Sequence, residues 1–444
     1  MRPHYILLLS FLLAASAHAA DSLSIRQAML DAAEHHPQVK AAEARAQSAR
    51  AQARQAIGYR LPSVDVSESF IRTTNPAEAF AFQMNQERFS MVEFGNPVND
   101  PNNPDPLNTY MTRAEATLPL FTGGMLHAKT LQARRMARAA DLEEDHSRES
   151  AALEAANAWL NLSKAREFQD LMKRSLNTAN AHMKRARDFY DQGMLAPSDI
   201  LRAEVFVAEM VEYKTRADEQ EQLAQAALNF QRGRPQEEIV TLAETEIADL
   251  SLSDTPDAMS IALENRPDFL AANEKLSAGR EEVTVARSSF LPQIGLVARY
   301  DWYDDQLLGD NGESWAIMGQ AKLNLFRGGT DRHAWKKATL DARAGEQDVR
   351  RFEEGIKLQV RQALAEQTSA HLRHDAAVKA LSSGRENLRV TEARYAQGVA
   401  KMTDLLDAQT ALRELEVREL SARYDKLFSR FRIKFVTGQP LLSR

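Results

Sequence analysis

The sequence predicts a mainly α-helical chain: two copies of a unit built on very long antiparallel coiled-coil helices, with four β-strands in all. Three observations carry this prediction. They are long stretches free of Pro and Gly, an internal repeat, and paired segments of alternating polarity.

Pro and Gly interrupt helices, so their absence marks long ones. Neither occurs between Gly124 and Gly193, nor from Ser198 to Arg232. Thr330 to Gln397 has no Pro and only isolated Gly at 345, 355 and 384, and Val399 to Thr437 has neither. A helix of about 65 residues would reach about 100 Å at about 1.5 Å per residue.

These stretches repeat. At an offset of 205, Tyr190-Asp191-Gln192-Gly193 matches Tyr395-Ala396-Gln397-Gly398, and Asp199, Leu201, Phe230, Gly233 and Pro235 match Asp404, Leu406, Phe435, Gly438 and Pro440. Leu120-Phe121-Thr122-Gly123-Gly124 matches Leu325-Phe326-Arg327-Gly328-Gly329 at the same offset. Upstream, Pro37 matches Pro267 and Leu61-Pro62 matches Leu291-Pro292 at an offset of 230, so the first copy holds 25 more residues between Pro62 and Leu120. A fixed order of landmarks is the signature of duplication. The chain thus divides into a signal peptide (1–19), repeat 1 (20–234, tip 192–199), a connecting segment (235–262) and repeat 2 (263–444, tip 397–404).

Each copy carries a pair of strands, expected at about 62–74 and 108–121, and at about 292–303 and 314–326. Ile294, Leu296, Ala298, Tyr300 and Trp302 alternate with mostly polar neighbours, as do Trp315, Ile317, Gly319, Ala321 and Leu323. Val64, Val66 and Phe70 give a similar face, which Glu68 breaks. Period two with one apolar face reads as a half-covered strand, and segments of about ten residues with aromatics near one end suit a membrane barrel. Four strands cannot close such a barrel, and an open edge in lipid leaves backbone groups unpaired, so several chains would have to share one. Asn75 to Asn108, which holds the extra residues, reads as a long surface loop rich in Pro, Asn and Asp at its end.

Composition narrows the rest. A basic start, an apolar run from Ile6 to Ala15 and Ala17-His18-Ala19 read as a signal peptide. Removing Arg2 with it leaves 55 Lys and Arg against 62 acids, a net of −7, which argues against a nucleic-acid partner. The absence of cysteine excludes disulfides and thiol catalysis. No phosphate-binding Gly-rich loop, nucleophile elbow or metal-ligand cluster stands out, so neither an enzyme nor a cofactor is expected. His371 and His374 have metal-compatible spacing but lack a carboxylate-rich cluster around them.

Arg266-Pro267, Leu291-Pro292, Leu325-Phe326-x-Gly328-Gly329, and Tyr395-x-x-Gly398 followed by Asp404-Leu405-Leu406-Asp407 together resemble the TolC family of outer-membrane efflux proteins. The resemblance covers nearly the whole mature chain. It implies a homotrimer whose strands form a shared twelve-stranded transmembrane barrel, seated in the outer-membrane lipid of a Gram-negative bacterium, with a helical tunnel crossing the periplasm. It further implies the exit duct of a tripartite efflux or type I secretion system, docked to a periplasmic adaptor and an inner-membrane pump or secretion ATPase. The helical content alone leaves one alternative, a periplasmic coiled-coil adaptor or structural protein without a pore.

The resemblance also assigns residues. Asp404 and Asp407 correspond to the entrance constriction, and Tyr395 with Asp199 to the link that holds the entrance shut. Gly193, Met194, Leu195, Gly398, Val399 and Ala400 correspond to the adaptor-facing tips. From the residues themselves, Gly193 and Gly398 are expected to end helices in left-handed caps, with Ser198/Asp199 and Thr403/Asp404 capping the returning helices. Asp407 has Arg202 as its repeat counterpart, so the fold does not require an acid there. The family often carries an Arg two residues past the second tip glycine; here Ala400 stands there, followed by Lys401.

Overall fold

The computed structural model describes residues 22–96, 100–243 and 257–442. The expected signal peptide lies outside these residues, as does 244–256 of the expected connecting segment. In chain order the elements are α1 (Ile25–His35), α2 (Pro37–Gly58), β1 (Ser63–Thr73), α3 (Pro76–Asn85), α4 (Met91–Phe94), β2 (Leu107–Thr122), α5 (Met125–Asp191) and α6 (Pro197–Gln231). They continue with α7 (Ala258–Asn265), α8 (Pro267–Arg287), β3 (Gln293–Asp304), β4 (Gly312–Lys322), α9 (Thr330–Ala396) and α10 (Met402–Val436). Helices α5 and α9 are each 67 residues long, and α6 and α10 are each 35. The glycines at 345, 355 and 384 lie within α9 without breaking it. Among the described residues, no helix is long and apolar enough to cross a membrane.

The chain forms two compact units. One comprises Ala42–Asp145 and Pro267–Gly355. Its sheet is antiparallel in the order β1-β2-β3-β4, so among the described residues β1 and β4 each have only one partner. The register sorts the side chains onto two faces. Rows Val64–Ala116–Ala298–Ile317 and Val66–Ala114–Tyr300–Trp315 make one face apolar. Phe70 stacks on Tyr110 and Tyr300 on Trp302 on the same face, with centroids 4.8 and 4.6 Å apart. Glu68, which interrupts this face, accepts a hydrogen bond from Thr112 across the ladder. The opposite face carries Asp65–Glu115–Arg299 and Ser67–Arg113–Asp301. There Arg113 Nε donates to Asp301 Oδ1 at 2.6 Å, with Asp301 almost fully buried. Ion pairs Arg50–Asp141 at 2.9 Å and Arg135–Glu274 at 3.1 Å tie α2 and α8 to α5 in this unit.

Two expectations about this unit need correction. Strand β4 stops at Lys322 and not near 326, because β3 begins at Gln293, just past Pro292. Residues 323–326 therefore have no strand across from them, because the chain before Pro292 is a 3-10 turn at Ser288–Phe290. The segment 75–108 is also not a plain loop, since it contains α3 and α4. Asn75 caps α3 by accepting from the Ala77 and Glu78 amides, and Pro76 supplies the preset first helical turn. Phe80, Phe89 and Phe94 cluster at 5.1–5.6 Å between ring centroids.

The other unit comprises the chain to Ala41, His146–Arg266 and Ile356 onward. Its main core gathers Trp159, Leu160, Leu162, Leu228, Leu420, Tyr424 and Phe431 around Leu23, Met29 and Val240. Trp159 Nε1 donates to the Leu23 carbonyl at 2.9 Å, and Leu23 pairs with Thr241 and Ala243 through its backbone. A buried ion pair, Arg232–Asp31, joins α1 to the residue after α6 at 2.9 Å.

Candidate functional site at the helical turns

Within the second unit, α5 turns into α6 and α9 into α10 through nearly identical geometry. Gly193 has φ +75° and Gly398 φ +74°, a region that L side chains adopt only with strain. The Gly193 amide donates to the Tyr190 carbonyl at 2.8 Å and the Met194 amide to the Phe189 carbonyl at 2.9 Å. Gly398 and Val399 repeat the pattern onto Tyr395 and Arg394, both at 2.9 Å. These paired bonds form a Schellman cap, which satisfies carbonyls that a helix end leaves open. A Cβ at either glycine would meet nothing within 4 Å, so backbone conformation and not space selects glycine.

Beyond the caps, Met194 and Val399 are exposed, while Leu195 and Ala400 pack against a small core of Ala186, Ala203, Tyr395, Met402 and Leu405. The returning helices start earlier than expected, with Ala196 and Lys401 as N-cap residues. Pro197, whose ring fixes a helical φ, takes the first position of α6. Asp199 and Asp404 therefore sit in the first turns. Asp404 still serves its helix end, because its Oδ2 accepts from the Lys401 amide at 3.0 Å. Acids at this place also suit the helix dipole. Ser198 and Thr403 do not cap.

Tyr395 is 8% exposed and lies 6.1 Å from Phe189, ring to ring. Its hydroxyl is buried without a hydrogen-bond partner among the described residues. Burial first, and the nearby Asp199 carboxylate second, push its phenol above the ordinary range. The structure thus brings Tyr395 and Asp199 into electrostatic reach without a hydrogen bond. Tyr395 lines a cleft of about 220 Å³ with His182, Arg185, Phe189, Glu392, Ala396 and Leu405. His182 is buried, with Nε2 2.9 Å from Gln409 Nε2 and 3.8 Å from Glu392, while its Nδ1 has no hydrogen-bond partner among the described residues. Burial, reinforced by Arg185, holds its imidazole below the ordinary value.

Asp407 is exposed on α10, one turn beyond Asp404. It lines a groove of about 380 Å³ with Leu406, Thr410 and residues of α6, among them Leu201, Arg202 and Val205. Sequence reasoning does not find His182, since a lone histidine inside a long helix has no distinguishing spacing. It reaches Arg202 only through the repeat.

The comparisons with known proteins agree with this architecture. A profile of the outer membrane efflux protein family matches residues 29–234 and 258–439. The outer membrane protein OprJ of Pseudomonas aeruginosa is 32% identical over 163 residues, 35% of this chain and 33% of OprJ. The outer membrane protein TolC of Vibrio cholerae is 21% identical over 313 residues, covering 69% of this chain and 72% of its own length. The alkaline protease secretion protein AprF of P. aeruginosa is 28% identical over 182 residues, 40% of this chain and 38% of AprF. The chain therefore spans about a third of OprJ in that match, and nearly three quarters of TolC. In fold, it resembles a membrane protein from P. aeruginosa (TM-score 0.82, 20% identity, 93% of each chain). It also resembles the outer membrane protein VceC of V. cholerae (TM-score 0.79, 18% identity, 94% of this chain and 97% of that one). The chain belongs to the outer membrane efflux protein family, the TolC family, and its place is the outer membrane.

Proposed function

We propose that three copies of this chain close one twelve-stranded barrel and form the exit duct of a tripartite efflux or type I secretion system. The observation that carries this reading is the sheet: among the described residues β1 and β4 are free edges, and one face is apolar over the Val64–Ile317 and Val66–Trp315 rows, up to the row of Glu68 and Thr112. Lipid provides no partner for an open edge, so the edges must pair with other copies. The apolar face then meets lipid and the Arg113–Asp301 face lines the pore. The described residues of the hairpin ends, 74–96, 100–106 and 305–311, lie at the end of the strands away from Thr122 and Gln293.

The helical turns belong to the periplasmic entrance in this reading. Asp404 and Asp407 supply carboxylate rings at a constriction, Tyr395 and Asp199 contribute to its closed state, and the 193–195 and 398–400 turns meet a periplasmic adaptor. The inner-membrane partner is a pump or a secretion ATPase; the efflux name of the family and the protease-secretion name of AprF support either. The chain itself carries out no chemistry. A coiled-coil protein without a pore would have no use for a sheet with an apolar outward face.

Detergent extraction of outer membranes should yield heat-sensitive trimers that form ion channels in planar bilayers. A soluble monomer without channel activity would defeat the proposal.

A further inference from the structure

The segment that is longer in the first copy than in the second folds over a particular face of the sheet. Gln86, at the C-terminal end of α3, is buried and its Nε2 donates to Thr109 Oγ1 at 2.8 Å and to the Asn108 carbonyl at 3.0 Å. In the β1–β2 register Thr109 shares its face with Met111 and Arg113, the polar face. Gly312 pairs with Tyr303, on that same face, and a Cβ at Gly312 would run into the Asn85 carbonyl. Thr109, Asp301 and Tyr303 are buried there, while Val64, Val66 and Trp315 on the other face are open. A further tie, Arg88 to Asp305 at 2.6 Å, fixes the segment to the β3–β4 hairpin. Three separate contacts thus place the end of α3 over the polar side of the strand ends.

We infer that α3 and α4 form a second constriction, at the outer mouth of the pore, built from one insertion per subunit. The inference rests on the trimeric pore proposed above, in which the polar face is the inner one. A twelve-stranded barrel at ordinary strand spacing and tilt is roughly 25 Å across between backbones. Three helical segments, each about 10 Å thick with side chains, fill most of that width. Beside the exposed Gln83 and Glu93, they expose large apolar side chains: Met91 is 73% and Val92 85% exposed, with Met84 and Phe94 also open. Such side chains facing a water-filled mouth carry a hydration cost that mutual burial of three copies removes. The occupant of this apolar surface is the same surface on the other two subunits. It would set the largest solute that leaves the duct and limit re-entry from outside.

The chain has no cysteine, so Val92→Cys introduces the sole thiol, at a site exposed enough to leave folding intact. Equivalent positions around a threefold axis can form a disulfide only close to that axis, since bridged Cα atoms lie about 4.4–6.8 Å apart. Oxidation of the purified full-length Val92→Cys trimer with copper phenanthroline should give a covalent dimer on non-reducing gels. Ile317→Cys, on the opposite face of the sheet, should give none. Gln86→Ala, which releases the anchor, should raise single-channel conductance about two-fold in planar bilayers. Channels of unchanged conductance together with no Val92→Cys dimer would overturn the constriction while leaving the duct standing. A wild-type protein that forms no channel would overturn both.

Discussion

Asp407 on α10 and Arg202 on α6 line one groove and occupy equivalent positions in the two copies of the repeat, yet carry opposite charges. Asp404 and its counterpart Asp199 are both acidic. In the proposed trimer the first pair gives a level of three carboxylates and three guanidiniums, and the second a level of six carboxylates. Charged rings at a constriction select ions. Asp404→Ala combined with Asp407→Ala should therefore raise single-channel conductance and weaken block by multivalent cations. Arg202→Gln should do the reverse for block, strengthening it several-fold. Reversal potentials and cation titrations in planar bilayers measure both, and an Arg202→Gln channel with wild-type block would remove Arg202 from the entrance.

The buried His182 should make the packing around the turns sensitive to acid. The groups facing it are Glu392, Gln409, Tyr395 and Arg185. Because its folded-state pKa lies below the ordinary 6.5, the unfolded chain binds the proton more readily. The stability this imidazole contributes is complete above pH 6.5 and declines as pH falls toward the depressed value. Amide hydrogen exchange in α5 and α9 near the turns should accelerate on moving from pH 7.5 to 5.5, after correction for intrinsic rates. His182→Gln, which cannot titrate, should flatten that dependence. Equal pH dependence in both proteins would exclude this histidine as the cause.

The second turn tests the adaptor assignment. Proline fixes φ near about −65° and lacks an amide proton, whereas Gly398 sits at +74° and donates to the Tyr395 carbonyl. Gly398→Pro should distort the turn that displays Val399 while leaving the sheet untouched. Trimers should form at wild-type levels, and crosslinking to a periplasmic adaptor should fall about ten-fold. Normal crosslinking would argue that the 398–400 turn is not a docking surface.

Much of this architecture was legible in the sequence, for reasons visible at particular residues. Gly193 and Gly398 marked the turns because a left-handed backbone leaves few alternatives to glycine, and the alternation from Ile294 to Trp302 marked a strand because one face is apolar. The end of β4 was not legible, since Leu323 and Leu325 continue the alternation and only the missing partner beyond Gln293 stops the ladder. Helices α3 and α4 were hidden by the Pro-, Asn- and Asp-rich residues that follow them. The caps differ from the sequence expectation because Ser198 and Thr403 are good N-cap residues by type, while Pro197 moves the start of α6 upstream and Asp404 caps α10 from within its first turn. The site contacts of His182 and Gln86 depend on elements far apart in the chain, and local pattern carries no trace of them.

The buried pair Arg232–Asp31 offers a test of how α1 is held. Both side chains are 9% exposed, Arg232 donates to Asp31 Oδ2 through Nε at 3.0 Å and Nη2 at 2.9 Å, and Nη1 reaches Asn229 Oδ1 at 3.2 Å. Gln27 Nε2 also donates to Asp31 Oδ1 at 3.0 Å. Removing one member of such a pair leaves an uncompensated charge and costs about 3–5 kcal/mol, whereas replacing both with apolar groups of similar volume is often near neutral. Arg232→Met should therefore lower the urea midpoint of the unit that contains α1 and speed exchange in α1. Asp31→Leu added to Arg232→Met should recover most of that loss. If the double variant is no more stable than Arg232→Met alone, the cost lies in lost packing of the arginine stem and not in the stranded carboxylate.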